Sequence, residues 1–146
     1  MSIDFVIATE IARPPHEVFA FVTDPARLHE WQTNVVEVVA TPPGALATGS
    51  RLREVRQVRG RRIEQLVEIT ELTAPSNFNM RVLEGALPVH GDLTLVSSPT
   101  GTRIALHAFG RPRGAMRLLA PLLNAGLKRE FSKQYAALKS VLESAE

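Results

Sequence analysis

Alternate residues at the start of the chain fall on one face: Ile3, Phe5, Ile7, Thr9 and Ile11. A period of two over nine residues predicts a half-buried strand. Arg13-Pro14-Pro15 ends it. Pro15 suits the first turn of a helix and Glu17 its positive end, and Val18, Phe19 and Val22 supply a short apolar stripe. Thr23-Asp24-Pro25 is a second start signal, with Asp24 as cap and Pro25 at the first helical position, predicting a brief helix over Pro25 to Trp31. Extended segments follow over Val35–Val39, Arg51–Arg59, Arg61–Leu72, Asn77–Leu83, Val89–Val96 and Arg103–Phe109. Pro42-Pro43-Gly44, Gly60, Pro75, Gly85, Pro88, Pro99 and Gly101 punctuate them, and Gly60 centres a hairpin. No helical period separates these strands, so their connections favour an antiparallel meander.

The last segment, Gly114 to Glu143, reads as the longest helix. Met116, Ala120, Leu123, Leu127, Phe131, Leu138 and Val141 form one stripe at 3.6-residue spacing, opposed in the second half by Arg129, Ser132, Lys133, Lys139 and Glu143. In the first half Leu118, Leu119 and Leu122 lie off the stripe, so that half is apolar nearly all round. Pro121 predicts a break or kink, and Gly126 removes a side chain where another group can approach closely. The off-stripe leucines either pack against the two short helices or form a flexible gate or contact surface.

Composition narrows the class. A chain of 146 residues is one domain's worth, so residues 1–146 are expected to form a single unit. Cysteine is absent, which removes disulfides and thiolate metal sites and fits a cytoplasmic setting. The N-terminal stretch lacks the basic region and long apolar run of a signal peptide, and no run approaches the roughly 18 apolar residues of a membrane span. The net charge is only +2, yet Arg51, Arg53, Arg56, Arg59, Arg61 and Arg62 crowd one hairpin. Such a cluster is either a patch for phosphates or an anionic membrane, or a solvated strand pair that charge guards against edge pairing. No aromatic residue interleaves these arginines, so nucleic acid is not an expected partner. His16, His29, His90 and His107 lack metal-ligand spacing, and there is no nucleophile elbow, phosphate-cradling loop or dinucleotide fingerprint. Neither a metal nor a cofactor is expected.

The order strand, two short helices, six strands, long helix resembles the START-domain and pollen-allergen superfamily (SRPBCC), in its polyketide cyclase/dehydrase-like branch. The residues that carry the resemblance are Ile11-Ala12-Arg13-Pro14-Pro15-His16-Glu17-Val18-Phe19, then Asp24-Pro25 followed by Trp31. Further on come Glu68-Ile69-Thr70-Glu71-Leu72 before Pro75, Gly101-Thr102-Arg103-Ile104, and Leu138-Lys139-Ser140-Val141-Leu142-Glu143. It spans nearly the whole chain. It implies an α+β helix-grip fold, in which a seven-stranded antiparallel sheet wraps the C-terminal helix and leaves a cavity between them. The ring-hydroxylating oxygenases that share this fold carry a Rieske centre, which needs cysteines this chain lacks. Fold alone does not assign chemistry, since carriers, receptors and cyclases share the architecture.

Strand alternation then selects the inward residues. With a two-residue turn at Gly60-Arg61, Val58 pairs with Ile63 and Leu52 with Ile69, which puts Leu52, Glu54, Arg56 and Val58 on the face of Ile63, Gln65, Val67 and Ile69. Glu54, Arg56 and Gln65 would then form a polar handle in an apolar pocket, while a one-residue slip would put them in solvent. Phe78, Met80 and Val82, Gly91, Leu93 and Leu95, and Ile104, Leu106 and Ala108 are the inward sets of the later strands. His107 falls outside, across from Asp92. Trp31, the only tryptophan, either caps the pocket or closes the barrel end by packing. The candidate ligand-binding residues are therefore Trp31, Leu52, Glu54, Arg56, Gln65, Val67, Phe78, Met80, Leu93, Leu106, Met116, Leu119, Leu123 and Leu127, with Glu54 and Arg56 as the catalytic candidates.

Three functions fit. The first is binding of an apolar small molecule such as a lipid, polyketide or aromatic metabolite. The second is a cofactor-independent cyclase or dehydratase that holds a flexible chain in a reactive fold. The third is a protein- or membrane-docking module, with transient membrane contact through the arginine-rich hairpin and the apolar first half of the last helix. The protein would be a monomer or homodimer.

Overall fold

In a computed structural model, residues 2–58, 60–85 and 88–144 are described. Strand β1 (Ile3–Ile11) leads into helix α1 (Pro15–Val22) and a 3₁₀ helix (Pro25–Glu30). Strands β2 (Val35–Thr41), β3 (Arg51–Val58), β4 (Arg61–Thr73), β5 (Asn77–Glu84), β6 (Val89–Ser98) and β7 (Gly101–Gly110) follow. A second 3₁₀ helix (Gly114–Leu119) runs into the long helix α2 (Ala120–Ser144). The seven strands form one antiparallel sheet in the order β1-β7-β6-β5-β4-β3-β2. This is the helix-grip architecture.

The local signals act as their chemistry requires. Pro15 opens α1 with Glu17 in its first turn, and Val18, Phe19, Phe21 and Val22 are buried. Asp24 Oδ1 accepts from the Ala26 N–H at 3.0 Å, capping the first 3₁₀ helix. The sheet bends where β2 slips register between Val35 and Glu37, and where β4 does so between Leu66 and Val67 and between Ile69 and Glu71. An extra residue on one strand kinks it and strengthens its twist. The core lies between the concave sheet and the helices, with Ile3, Ile11, Val18, Val67, Ile69, Ile104 and Leu138 almost wholly enclosed.

Helix α2 lies along the edge strand β1 and ties to it at both ends. Asn124 Oδ1 accepts from the Asp4 N–H (2.8 Å) and Glu143 Oε2 from the Ala12 N–H (2.9 Å). Lys139 Nζ donates to the Glu10 carbonyl (2.6 Å) and to Glu143 Oε2 (2.8 Å). Edge groups that would otherwise be open to another chain are thus occupied by the helix.

Several details refine or depart from the sequence expectation. The β3–β4 ladder runs to Val58 opposite Arg61, not Ile63, so Leu52 faces Val67. The shift is two residues, which preserves which side chains face inward. Arg59, one of the expected arginine cluster, lies outside the described residues. Several of the other hairpin arginines are paired: Arg51 with Glu68 (3.8 Å), Arg53 with Glu84 (3.9 Å), Arg56 with Glu54 (2.7 Å) and Arg62 with Glu64 (3.9 Å). The break expected at Pro121 takes the form of a change of helix type: the 3₁₀ helix Gly114–Leu119 gives way to α2 at Ala120, and Pro121 sits in the first turn of α2. A Cβ at Gly126 would meet nothing within 4 Å, so no group approaches closely there. His107 stands opposite Asp92 in the ladder as expected, but its Nε2 bonds Asp4 Oδ1 on β1 at 2.8 Å.

Candidate functional site

The inward faces of β3 to β7, the first 3₁₀ helix with the residues that follow it, and one side of α2 line a pocket of about 200 Å³. Most of its wall is apolar: Leu28, Leu46, Leu52, Val67, Phe78, Met80, Val82, Leu93, Leu106, Ala108, Leu127 and Phe131. On β6, Gly91 lines it where an added Cβ would come no nearer than 3.5 Å to Leu106 Cδ1. That glycine leaves space inside the pocket that a larger side chain would occupy.

One part of the wall is polar. Glu54 on β3 lies opposite Gln65 on β4, and both face inward with Arg56. The side chains of Glu54 and Arg56 are only 5% and 17% exposed. Arg56 Nη2 and Nε donate to Glu54 Oε1 at 2.7 and 3.1 Å, and Gln65 Nε2 donates to the same oxygen at 2.8 Å. Further donors of Arg56 go to the segment that follows the first 3₁₀ helix. Its Nη2 donates to Gln32 Oε1 (2.7 Å) and its Nη1 to Asn34 Oδ1 (2.9 Å). Asn34 is itself held to β3, its carbonyl accepting from the Gln57 N–H at 2.8 Å. A buried guanidinium and carboxylate remain compatible with a folded protein only when paired and further hydrogen-bonded, as here. Three donors converge on Oε1 of Glu54, whereas Oε2 accepts from none of the described residues and is not sealed off. It is therefore the carboxylate atom without a donor among the described residues.

A second group comes from α2. Tyr135 lines the pocket with its ring centroid 5.3 Å from that of Trp31, tilted by 58°. Burial pushes its phenol well above the ordinary value, so the hydroxyl stays protonated and serves as a donor or acceptor. Trp31 forms wall through its ring, and its Nε1 is buried without a hydrogen-bond partner among the described residues. No set of three or more His, Asp or Glu side chains able to hold a metal ion occurs among the described residues.

Of the residues selected from sequence, Trp31, Leu52, Glu54, Arg56, Gln65, Val67, Phe78, Met80, Leu93, Leu106 and Leu127 line this pocket. Met116, Leu119 and Leu123 do not: Leu123 packs half-buried on the core, Met116 lies in the second 3₁₀ helix, and Leu119 is 46% exposed. Tyr135, Gln32 and Asn34 were missed. Tyr135 had a signal, since it stands four residues after Phe131 and three before Leu138 on the helical stripe. Gln32 and Asn34 had none, because they reach Arg56 from more than twenty residues away.

The family described as polyketide cyclase / dehydrase and lipid transport matches residues 2–143. No curated protein matches the chain by sequence. Among solved structures, Ara h 8.0201 is similar in fold at 14% identity and a TM-score of 0.80, over 99% of this chain and 100% of that one. A protein from Rhodobacter sphaeroides is similar at 19% identity and 0.79, over 99% and 94%. The di-domain ARO/CYC StfQ from the steffimycin biosynthetic pathway is similar at 11% identity and 0.81, over 97% of this chain and 51% of that one. At these identities the likeness is one of fold.

Proposed function

From the premise that this chain belongs to the polyketide cyclase/dehydrase and lipid transport family, we propose that it binds an apolar small molecule bearing one polar end in the pocket between sheet and α2. The observation that carries this reading is the asymmetry of the pocket wall: apolar almost throughout, with one buried, fully organised Glu54–Arg56–Gln65 cluster. Apolar walls supply affinity by removing surface from water, and a few fixed polar groups orient the guest. Glu54 Oε2 accepts from a hydroxyl or N–H of the ligand, and the Tyr135 hydroxyl serves as a second polar contact. A benzene-sized guest occupies an apolar cavity of roughly 150 Å³. The pocket of about 200 Å³ therefore suits one or two rings, or an acyl segment of similar bulk.

Trp31 is the sole tryptophan and lines the pocket, so its emission reports occupancy. Titration with 2-naphthol, an aromatic probe with a single hydroxyl, is expected to change that emission saturably. Gly91→Leu, which fills the pocket from β6, is expected to abolish the response while the protein stays folded. A wild-type protein that responds to no such probe, and from which solvent extraction releases no apolar compound, would refute the reading.

A second reading, a cofactor-independent cyclase or dehydratase, is favoured by the unoccupied Oε2 of Glu54. In this reading that atom takes a proton from the bound chain, since closure of a ring or loss of water needs such a group near the reacting carbon. Glu54→Gln keeps the shape and the hydrogen bonds to Oε1 but removes the base. It is expected to abolish turnover while leaving 2-naphthol binding within about tenfold of wild type. Equal turnover in that variant would dismiss the enzymatic reading and leave the binding one standing.

A further inference from the structure

The segment from Arg111 to Arg129 presents a surface the pocket does not use. It holds five cations, Arg111, Arg113, Arg117, Lys128 and Arg129, and no acid, in a chain whose net charge is only +2. None of the five makes an ion pair with the described residues. The hairpin arginines Arg51, Arg53 and Arg62 differ, because each has a glutamate within 4 Å. Among these cations stand Leu118 at 84% exposure, Leu122 at 73% and Leu119 at 46%. The opposite side of the same segment is satisfied: Pro112 and Ala120 are buried, and Leu123 and Leu127 pack on the core. The exposed leucines are therefore a second apolar face that folding leaves uncovered. Leu122, Gly126 and Arg129 continue it along α2 at intervals of four and three residues.

We propose that this face docks the protein on the surface of an anionic lipid bilayer. Leucines that enter the boundary between headgroups and acyl chains, ringed by unpaired arginines that meet the headgroup phosphates, are the pattern of an interfacial amphipathic segment. Charge decides against a second copy of the chain, since self-association through this face would set Arg111, Arg113 and Arg117, which line one groove, against the same three. The face borders a groove lined by Pro88, His90, Phe109, Arg111, Arg113 and Arg117, and His90 also borders the inner pocket. Docking would bring that end of the pocket to the lipid. The inference rests on the surface alone and stands whatever the pocket holds.

The test is cosedimentation of the full chain with vesicles of phosphatidylcholine, with and without phosphatidylglycerol, at low and high salt. Binding is expected only where phosphatidylglycerol is present, and salt should weaken it by screening. Loss of each arginine is expected to weaken it about fivefold. Arg113→Ser with Arg117→Ser should therefore lower affinity by about 25-fold. Leu118→Asp with Leu122→Asp should abolish binding, and Arg61→Ser on the hairpin should leave it unchanged. All the altered side chains are exposed, and the circular dichroism of each variant is expected to match wild type. Absence of binding to phosphatidylglycerol vesicles overturns the proposal. So does binding that both leucine substitutions leave intact, and so does binding to an acidic polypeptide with none to vesicles, which would assign the face to a protein partner.

Discussion

Arg56 has its donors divided among Glu54, Gln32 and Asn34, with Gln65 completing the shell of Glu54. Removing one partner from such a buried pair leaves an uncompensated charge, at a cost of about 3–5 kcal/mol. Arg56→Met is thus expected to destabilise the protein by roughly that amount in urea unfolding. Glu54→Gln keeps an acceptor for the same donors and should cost less. Equal and small losses in the two variants would show that the pair is not a coupled unit. Tyr135, the sole tyrosine, permits a second residue-level check. Its folded pKa is raised above the ordinary 10.0, so the unfolded chain loses that proton first and stability falls as the pH rises past 10. The slope is about 1.4 kcal/mol per pH unit in that window. Ultraviolet difference titration should show no phenolate until the chain unfolds, and Tyr135→Phe should remove this part of the alkaline loss.

At the scale of elements, polar ties at its two ends add to the apolar packing of α2 on β1. The Lys139 ammonium and then the Ala12 N–H hold the Glu143 carboxyl below its ordinary 4.5. A depressed folded value means the stabilisation is present above 4.5 and fades as the pH falls through the lower folded value. Glu143→Gln is therefore expected to lower the thermal midpoint at neutral pH and to flatten the acid side of the stability profile. Wild type and variant should converge in strong acid, and a constant gap at all pH values would rule out this origin. Elements were the part of the fold most legible in sequence. The alternation of β1, the Asp24-Pro25 start and the stripe of α2 each had a local cause and formed where that cause lies. The hairpin register was legible only in parity. Side-chain alternation has period two and cannot tell Val58–Ile63 from Val58–Arg61.

Across the whole molecule, the pocket was half legible. Its apolar wall follows from alternation, because each inward set is confined to one face by the pleat. Its polar end was visible only as three residue types on one face. What organises them, Gln32 and Asn34 on one side and Tyr135 on the other, arrives through tertiary closure that no local period encodes. The sequence allows the leucines of residues 118–122 to be either packed or free, and the fold leaves them free because Leu123 and Leu127 already supply the inward stripe.

The order of the sheet sets a timetable for synthesis. Among the described strands β1 is made before the others, yet its one sheet neighbour is β7, which ends at Gly110, and its outer rail is α2, which comes later still. Strands β2 to β6 can zip together as neighbours in sequence while the nine-residue β1 waits, unpaired, until β7 has been made. Closure is then a late event, and a nascent chain halted before β7 carries β1 with its apolar face uncovered.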